Sequence, residues 1–223
     1  MIELQNVAMS YGGSELLSEM TLKLVPGSFH FLTGPSGAGK TTFLKLCYAE
    51  LLPSAGHLAL FGQDVRALGR DDIAGLRQKI GVVHQDCQFL DHLSVAENVA
   101  LPLSVARRPV DTAELRELLG WVGLKAQAGA LPPQLSGGER QRAALARAVM
   151  MSPDVILADE PTGNLDWEMS LRLLSLLVEL NKMGKTVVIA THDLNLIRTA
   201  KSQVAARVLR IANRRLQLAG ADL

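Results

Sequence analysis

An apolar segment, Phe29–Thr33, runs directly into Gly34-Pro35-Ser36-Gly37-Ala38-Gly39-Lys40-Thr41-Thr42, and beyond it Phe43, Leu44, Leu46, Cys47 and Leu51 recur near a 3.6-residue period. Strand, glycine-rich loop and helix therefore follow one another. The Gly34-x-x-x-x-Gly39-Lys40-Thr41 spacing is that of a P-loop, in which glycines let successive amides converge on phosphate oxygens at the positive end of the helix. Lys40 adds a point charge for the outer phosphates, and Thr41 offers a hydroxyl to magnesium. Gly34, Ser36, Gly37, Ala38, Gly39, Lys40, Thr41 and Thr42 are the candidate phosphate-binding residues. A glycine-rich turn with a chance lysine is the alternative, but such a turn needs no strand before it and no helix after it.

The rest of the chain alternates in a way that fits this unit. Extended segments are expected at Ile2–Met9, Met20–Val25, His57–Phe61, Lys79–His84, Val155–Leu157 and Thr186–Thr191. Helices are expected from the loop to a stop at Pro53–Gly56, over Val95–Leu103 capped by Ser94, over Thr112–Trp121 capped by Asp111, from Ser136 through Met150, and over Trp167–Met183. Alternating strands and helices imply an α/β fold with a largely parallel, two-sided sheet. No strand is expected between Ser94 and Met151, so this stretch reads as a helical insertion.

A second chemical cluster ends the strand Val155-Ile156-Leu157-Ala158 at Asp159-Glu160. Adjacent acids at the carboxyl end of a buried strand are costly unless a cation faces them, and magnesium is the candidate. Asp159 would hold the ion through its water shell. Glu160 would orient and deprotonate an attacking water. A solvated strand end is the alternative.

Leu135-Ser136-Gly137-Gly138-Glu139-Arg140-Gln141-Arg142 places a second anion-binding helix start on the chain, one with no lysine and no acidic pair. It resembles the signature motif of ATP-binding-cassette (ABC) ATPases. The resemblance implies that Ser136, Gly137 and Gly138 close over ATP held by the P-loop of a second copy in a head-to-tail dimer. It further implies that Tyr11 stacks on adenine, an ordinary strand-end tyrosine being the rival reading. Gln85 resembles the Q-loop glutamine that touches magnesium, Asp166 of Asn164-Leu165-Asp166 the D-loop aspartate at the dimer seam, and His192 the switch histidine on the γ-phosphate. Catalytic roles thus fall to Lys40, Gln85, Glu160 and His192, and metal contacts to Thr41, Gln85 and Asp159, with ATP and magnesium as cofactors.

The resemblance covers the chain from Ile2 to about Leu218 and implies a single domain, 1–223. Its nucleotide-binding core would be 1–85 and 152–223, with an amino-terminal antiparallel β subdomain, and 86–151 would form the helical signature subdomain. Within the family, Ala158-Asp159-Glu160-Pro161-Thr162-Gly163-Asn164-Leu165-Asp166 looks like the bacterial branch of cell-division, lipoprotein-release and export ATPases, and Thr191–Ile197 is most similar to the cell-division members. The implied partners are a second copy and an integral membrane protein, FtsX in the division case, at the cytoplasmic face of the inner membrane. Two departures stand out: His84 where an aromatic often precedes the glutamine, and Asn213 in place of a late-turn glycine.

Composition narrows the partners. Twenty-three Lys and Arg against twenty-two Asp and Glu leave +1, which argues against a polyanion binder such as a nucleic-acid protein. No apolar run approaches the roughly 18–20 residues of a spanning helix, and Met1–Gln5 carries no signal-peptide pattern. Cys47 and Cys87 read as reduced packing residues. The segment Leu194–Ala221 holds six basic residues and no acid, either a solvated face or a contact for anionic lipid or an acidic segment. Phe89, Leu90 and Leu93 are either core or one wall of a groove for a partner's helix.

Overall fold

The computed structural model describes residues 1–219, so the end of the expected domain and of the basic segment, 220–223, lies outside the described residues. Ten strands and seven α-helices follow in chain order among those described: β1 Ile2–Tyr11, β2 Ser14–Leu24, β3 Phe29–Thr33, α1 Lys40–Cys47, β4 Ala55–Leu60, β5 Gln63–Asp64, α2 Arg70–Arg77, β6 Ile80–Val83, α3 Val95–Val105, α4 Thr112–Trp121, α5 Gly137–Val149, β7 Val155–Asp159, α6 Trp167–Lys182, β8 Thr186–Ala190, α7 Leu194–Lys201, β9 Ala206–Ala212 and β10 Arg215–Leu218. They form two sheets. An antiparallel sheet has the order β2-β1-β4-β5, and a larger one the order β10-β9-β3-β8-β7-β6, in which every pair except β10 with β9 is parallel.

Strands β6, β7 and β8 of the larger sheet read as nearly continuous apolar runs because both faces are covered. Along β8, Val187 and Ile189 face one cluster while Val188 and Ala190 face the other, and β7 divides in the same way between Ile156 with Ala158 and Val155 with Leu157. One face packs on α1 and the antiparallel sheet. The other packs on α6 and α7 and runs without a break into Val95, Val99, Leu103 and Leu119 of the helical stretch. That stretch, between β6 and β7, holds α3, α4 and α5 with two short 3-10 turns.

Three local differences from the sequence reading have physical causes. The first helix ends at Cys47 rather than near Pro53, because Ala49 turns into the left-handed region and Arg77 takes the carbonyls of Tyr48 and Ala49 at 3.1 and 2.8 Å. Helix α2 has little apolar period, burying only Leu76, and is started by the Asp72 carboxylate accepting the Gly69 N–H at 3.1 Å. Helix α7 is started by Asp193, whose Oδ1 accepts the N–H groups of Asn195 and Leu196. At the late turn Asn213 and Arg214 both take positive φ, and the β9–β10 hairpin forms.

Strand order decides where the chemistry lies. The P-loop follows β3, Gln85 follows β6, Asp159 and Glu160 end β7, and His192 follows β8. Because β3, β8, β7 and β6 are consecutive parallel neighbours, their carboxyl ends open at one edge of the sheet, where ligands of open α/β folds bind.

Candidate functional site

A cavity of about 590 Å³ lies at that edge. The P-loop supplies Gly34, Pro35, Ser36, Gly37, Gly39, Lys40, Thr41 and Thr42 to its wall, and Leu16, Gln85, Asp159, Glu160, Gly163 and His192 complete it. Residues from five separate segments thus converge on one space. Gly39, at φ +98°, sits immediately before α1, and a Cβ there would lie 3.0 Å from Leu17 Cδ2. The loop can follow this path only with glycine. Ala38 belongs to the loop through its backbone, its N–H donating to the Pro35 carbonyl at 3.2 Å, but its side chain does not line the cavity.

The charged groups are held in mutual reach. Lys40 Nζ lies 3.6 Å from Glu160 Oε1 and donates to the Gly34 carbonyl at 3.0 Å. His192 Nδ1 lies 3.1 Å from both Glu160 oxygens. Lys40 and Glu160 are nearly covered by protein, with side-chain exposures of 11% and 12%, whereas His192 is open at 73%. Glu160 reaches this position by a turn at φ +42°, which side-chain-bearing residues rarely adopt and which costs about 1–3 kcal/mol. Its N–H donates to Ala190 of β8, and its carbonyl accepts the Gly163 N–H. The strained turn swings the carboxylate from the end of β7 into the cavity.

Asp159 is buried, and burial pushes its carboxyl above the usual range, with Glu160 adding in the same direction, while the Thr41 hydroxyl and Lys40 draw it back. Its Oδ1 has no hydrogen-bond partner. A buried carboxylate oxygen without a partner, beside a threonine hydroxyl and on a cavity wall shared with Gln85, is a donor set that suits a hard cation with oxygen ligands. Among the described residues no group of three or more His, Cys, Asp and Glu could hold a metal by itself.

Other expected site residues lie elsewhere. Tyr11 is half exposed and does not line the cavity; Leu16 of β2 does. An aliphatic residue in a strand carries no sequence signal for such a role. Ser136, Gly137, Gly138 and Asp166 are likewise absent from the cavity wall. Ser136 caps α5, its Oγ accepting the Glu139 N–H while its own N–H and Oγ both donate to the Glu139 carboxylate, and Asp166 caps α6 by accepting the Met169 N–H at 2.8 Å. Signature and D-loop adjoin, since a Cβ on Gly137 would lie 3.6 Å from the Asn164 carbonyl. His84 fills the place before Gln85 by packing edge-on against Tyr48, ring centroids 6.4 Å apart. Cys47 and Cys87 are buried free thiols, which burial pushes up in pKa.

With this geometry described, comparison with known proteins gives concordant results. A family model described as ABC transporter matches residues 17–163. The chain is 46% identical over 201 residues to the cell division ATP-binding protein FtsE of Haemophilus influenzae, covering 88% of this chain and 92% of that protein. The Bacillus subtilis protein of the same name is 42% identical over 209 residues, covering 92% of each. Among solved structures, the dimeric ABC transporter cassette MJ0796 superposes with a TM-score of 0.87 at 35% identity, and its post-hydrolysis dimer with ADP and Pi with 0.86 at 33%, each covering 97% of both chains.

Proposed function

The chain belongs to the ABC transporter family, and from that premise we propose that it is the ATP-hydrolysing subunit of an assembly whose other half is an integral membrane protein. It binds and hydrolyses ATP, a reading supported by the family model, by the ATP-binding FtsE relatives and by the post-hydrolysis cassette dimer. The observation that carries the chemistry is the convergence of Lys40 and His192 on Glu160, at 3.6 and 3.1 Å, at the carboxyl edge of the parallel strands. The P-loop amides and Lys40 cradle the β- and γ-phosphates. Glu160, aimed by its strained turn, orients the attacking water and accepts its proton, a role worth about 10²–10⁴ in rate. His192 holds the carboxylate from one side and offers its exposed ring to the γ-phosphate. Thr41, Asp159 and Gln85 would hold magnesium; when bound, the ion neutralises charge developing on the phosphate oxygens.

The capped start of α5 lies off its own chain's cavity, so we assign Ser136, Gly137, Gly138 and Asp166 to the cavity of a second copy in a head-to-tail dimer. The dimeric cassettes of the same fold support this reading. Residues 1–85 and 152–223 are assigned to the nucleotide-binding core and 86–151 to the helical signature subdomain. Among the described residues no helix is long and apolar enough to cross a membrane.

The FtsE relatives favour FtsX as that partner, at the cytoplasmic face of the inner membrane and the division site. A groove of about 590 Å³ between β6, α2, α3 and α5 offers the docking surface, with Leu101, Pro102 and the 76%-exposed Val105 on its apolar side. The wall comes from α3 rather than from Phe89, which lies against α5. A tagged chain purified from detergent-solubilised membranes is expected to bring down one integral protein, and its depletion to block septation. Depletion that strands lipoproteins and leaves septation intact would overturn the division assignment.

A further inference from the structure

Helix α5 grips the segment after β6 at three places. Gln141 Nε2 donates to the Gln85 carbonyl at 3.1 Å, Arg147 donates to the Gln88 carbonyl at 2.8 Å, and its other guanidinium nitrogen donates to the Cys87 carbonyl. The Arg147 and Arg140 guanidinium carbons lie 4.7 and 5.7 Å from the Phe89 ring centroid, so the ring rests on two cations about two turns apart on the same helix. The gripped backbone is unusual. Cys87 and Gln88 hold φ of +60° and +46° in succession, a path that neither residue type favours. Two adjacent left-handed residues persist only where surrounding contacts fix them, at about 1–3 kcal/mol each. Gln141 is itself 4% exposed, and a planar guanidinium that binds two carbonyls at once is a fork that lysine cannot copy.

We propose that Arg147, seconded by Gln141, is the positioning residue for Gln85. It fixes the carbonyls at 87 and 88 to the signature helix, so that the segment at the cavity wall and the start of α5 move as one body. This inference rests on the ATPase reading above.

The test is a double-mutant cycle in purified full-length protein: wild type, Arg147→Met, Gln85→Ala and the pair, with Arg147→Lys as the milder change. Turnover, KM for ATP and binding of a fluorescent ATP analogue are measured, with melting temperature as a fold control. Arg147→Met is expected to lower kcat by about tenfold, the scale on which outer partners of a metal contact act, with analogue binding within about twofold of wild type. Arg147→Lys should recover only part of the loss. In the Gln85→Ala background, Arg147→Met should cost almost nothing more, because Arg147 acts by placing the very side chain that Gln85→Ala has already removed. Losses that multiply, or an Arg147 effect confined to KM, would overturn the proposal. If Arg147→Met does not fold, the Arg147→Lys cycle decides on the same criterion. Wild-type protein with no turnover would instead refute the ATPase reading.

Discussion

Asp159→Asn should push stability and activity in opposite directions. In the nucleotide-free chain Asp159 is a carboxylate 8% exposed, with one oxygen lacking a partner and the Thr41 hydroxyl beside it. An unsatisfied buried polar group costs about 1–3 kcal/mol, more when charged. Asparagine removes the charge but leaves an amide N–H in the same place, so a net gain of about 1 kcal/mol remains, or about 2–4 °C in Tm for a chain of this size. The sign follows from linkage. Burial raises the folded-state pKa above the unfolded value, so this group favours folding only below that unfolded value, and its contribution is lost as pH rises through the folded one. At neutral pH the ionised form is a net cost, and the gap between variant and wild type should shrink on acidification. Calorimetric melts in EDTA at several pH values measure this. Magnesium and ATP should then reverse the order by stabilising wild type far more than the variant, and wild-type affinity for the ion should fall as pH is lowered. A variant that melts below wild type in EDTA at neutral pH would refute the reasoning that Asp159 is destabilising until a cation meets it.

Two further outcomes follow from the same geometry. Glu160→Gln keeps the shape and one acceptor but removes the proposed base, so turnover should fall at least about 100-fold, equivalent to about 2.7 kcal/mol, with ATP still bound; single-turnover phosphate release checks this. Ser136→Ala removes the α5 cap, which should cost about 1 kcal/mol in a urea melt, yet turnover should fall by more than the lost folded fraction explains because the same hydroxyl is proposed to serve the second copy's nucleotide.

Much of this was legible because the motifs sit at strand and helix ends, where residue type follows from backbone need. Ser94, Asp111 and Ser136 cap the helices expected of them, and Lys40, Asp159, Glu160 and His192 face one cavity because each directly follows a parallel strand or the P-loop after one. Helix α2 was illegible because Gly75 and a single buried leucine leave no apolar period. Leu16 was hidden for the opposite reason, an aliphatic side chain in a strand being indistinguishable from core until the two sheets are placed together. Gln141 and Arg147 carried no signal either. Their work is done on backbone carbonyls at positions 85, 87 and 88, contacts that depend on how α5 lies against the end of β6 and on no residue type there.

The central claim is that hydrolysis needs two copies, each completing the other's cavity with Ser136 and its glycines. Specific ATPase activity of the purified chain measured across a dilution series tests it most directly. Activity per molecule should fall with concentration, in step with loss of an ATP-dependent dimer seen for Glu160→Gln by analytical ultracentrifugation. Activity per molecule that stays constant down to concentrations where only monomer sediments would contradict the claim.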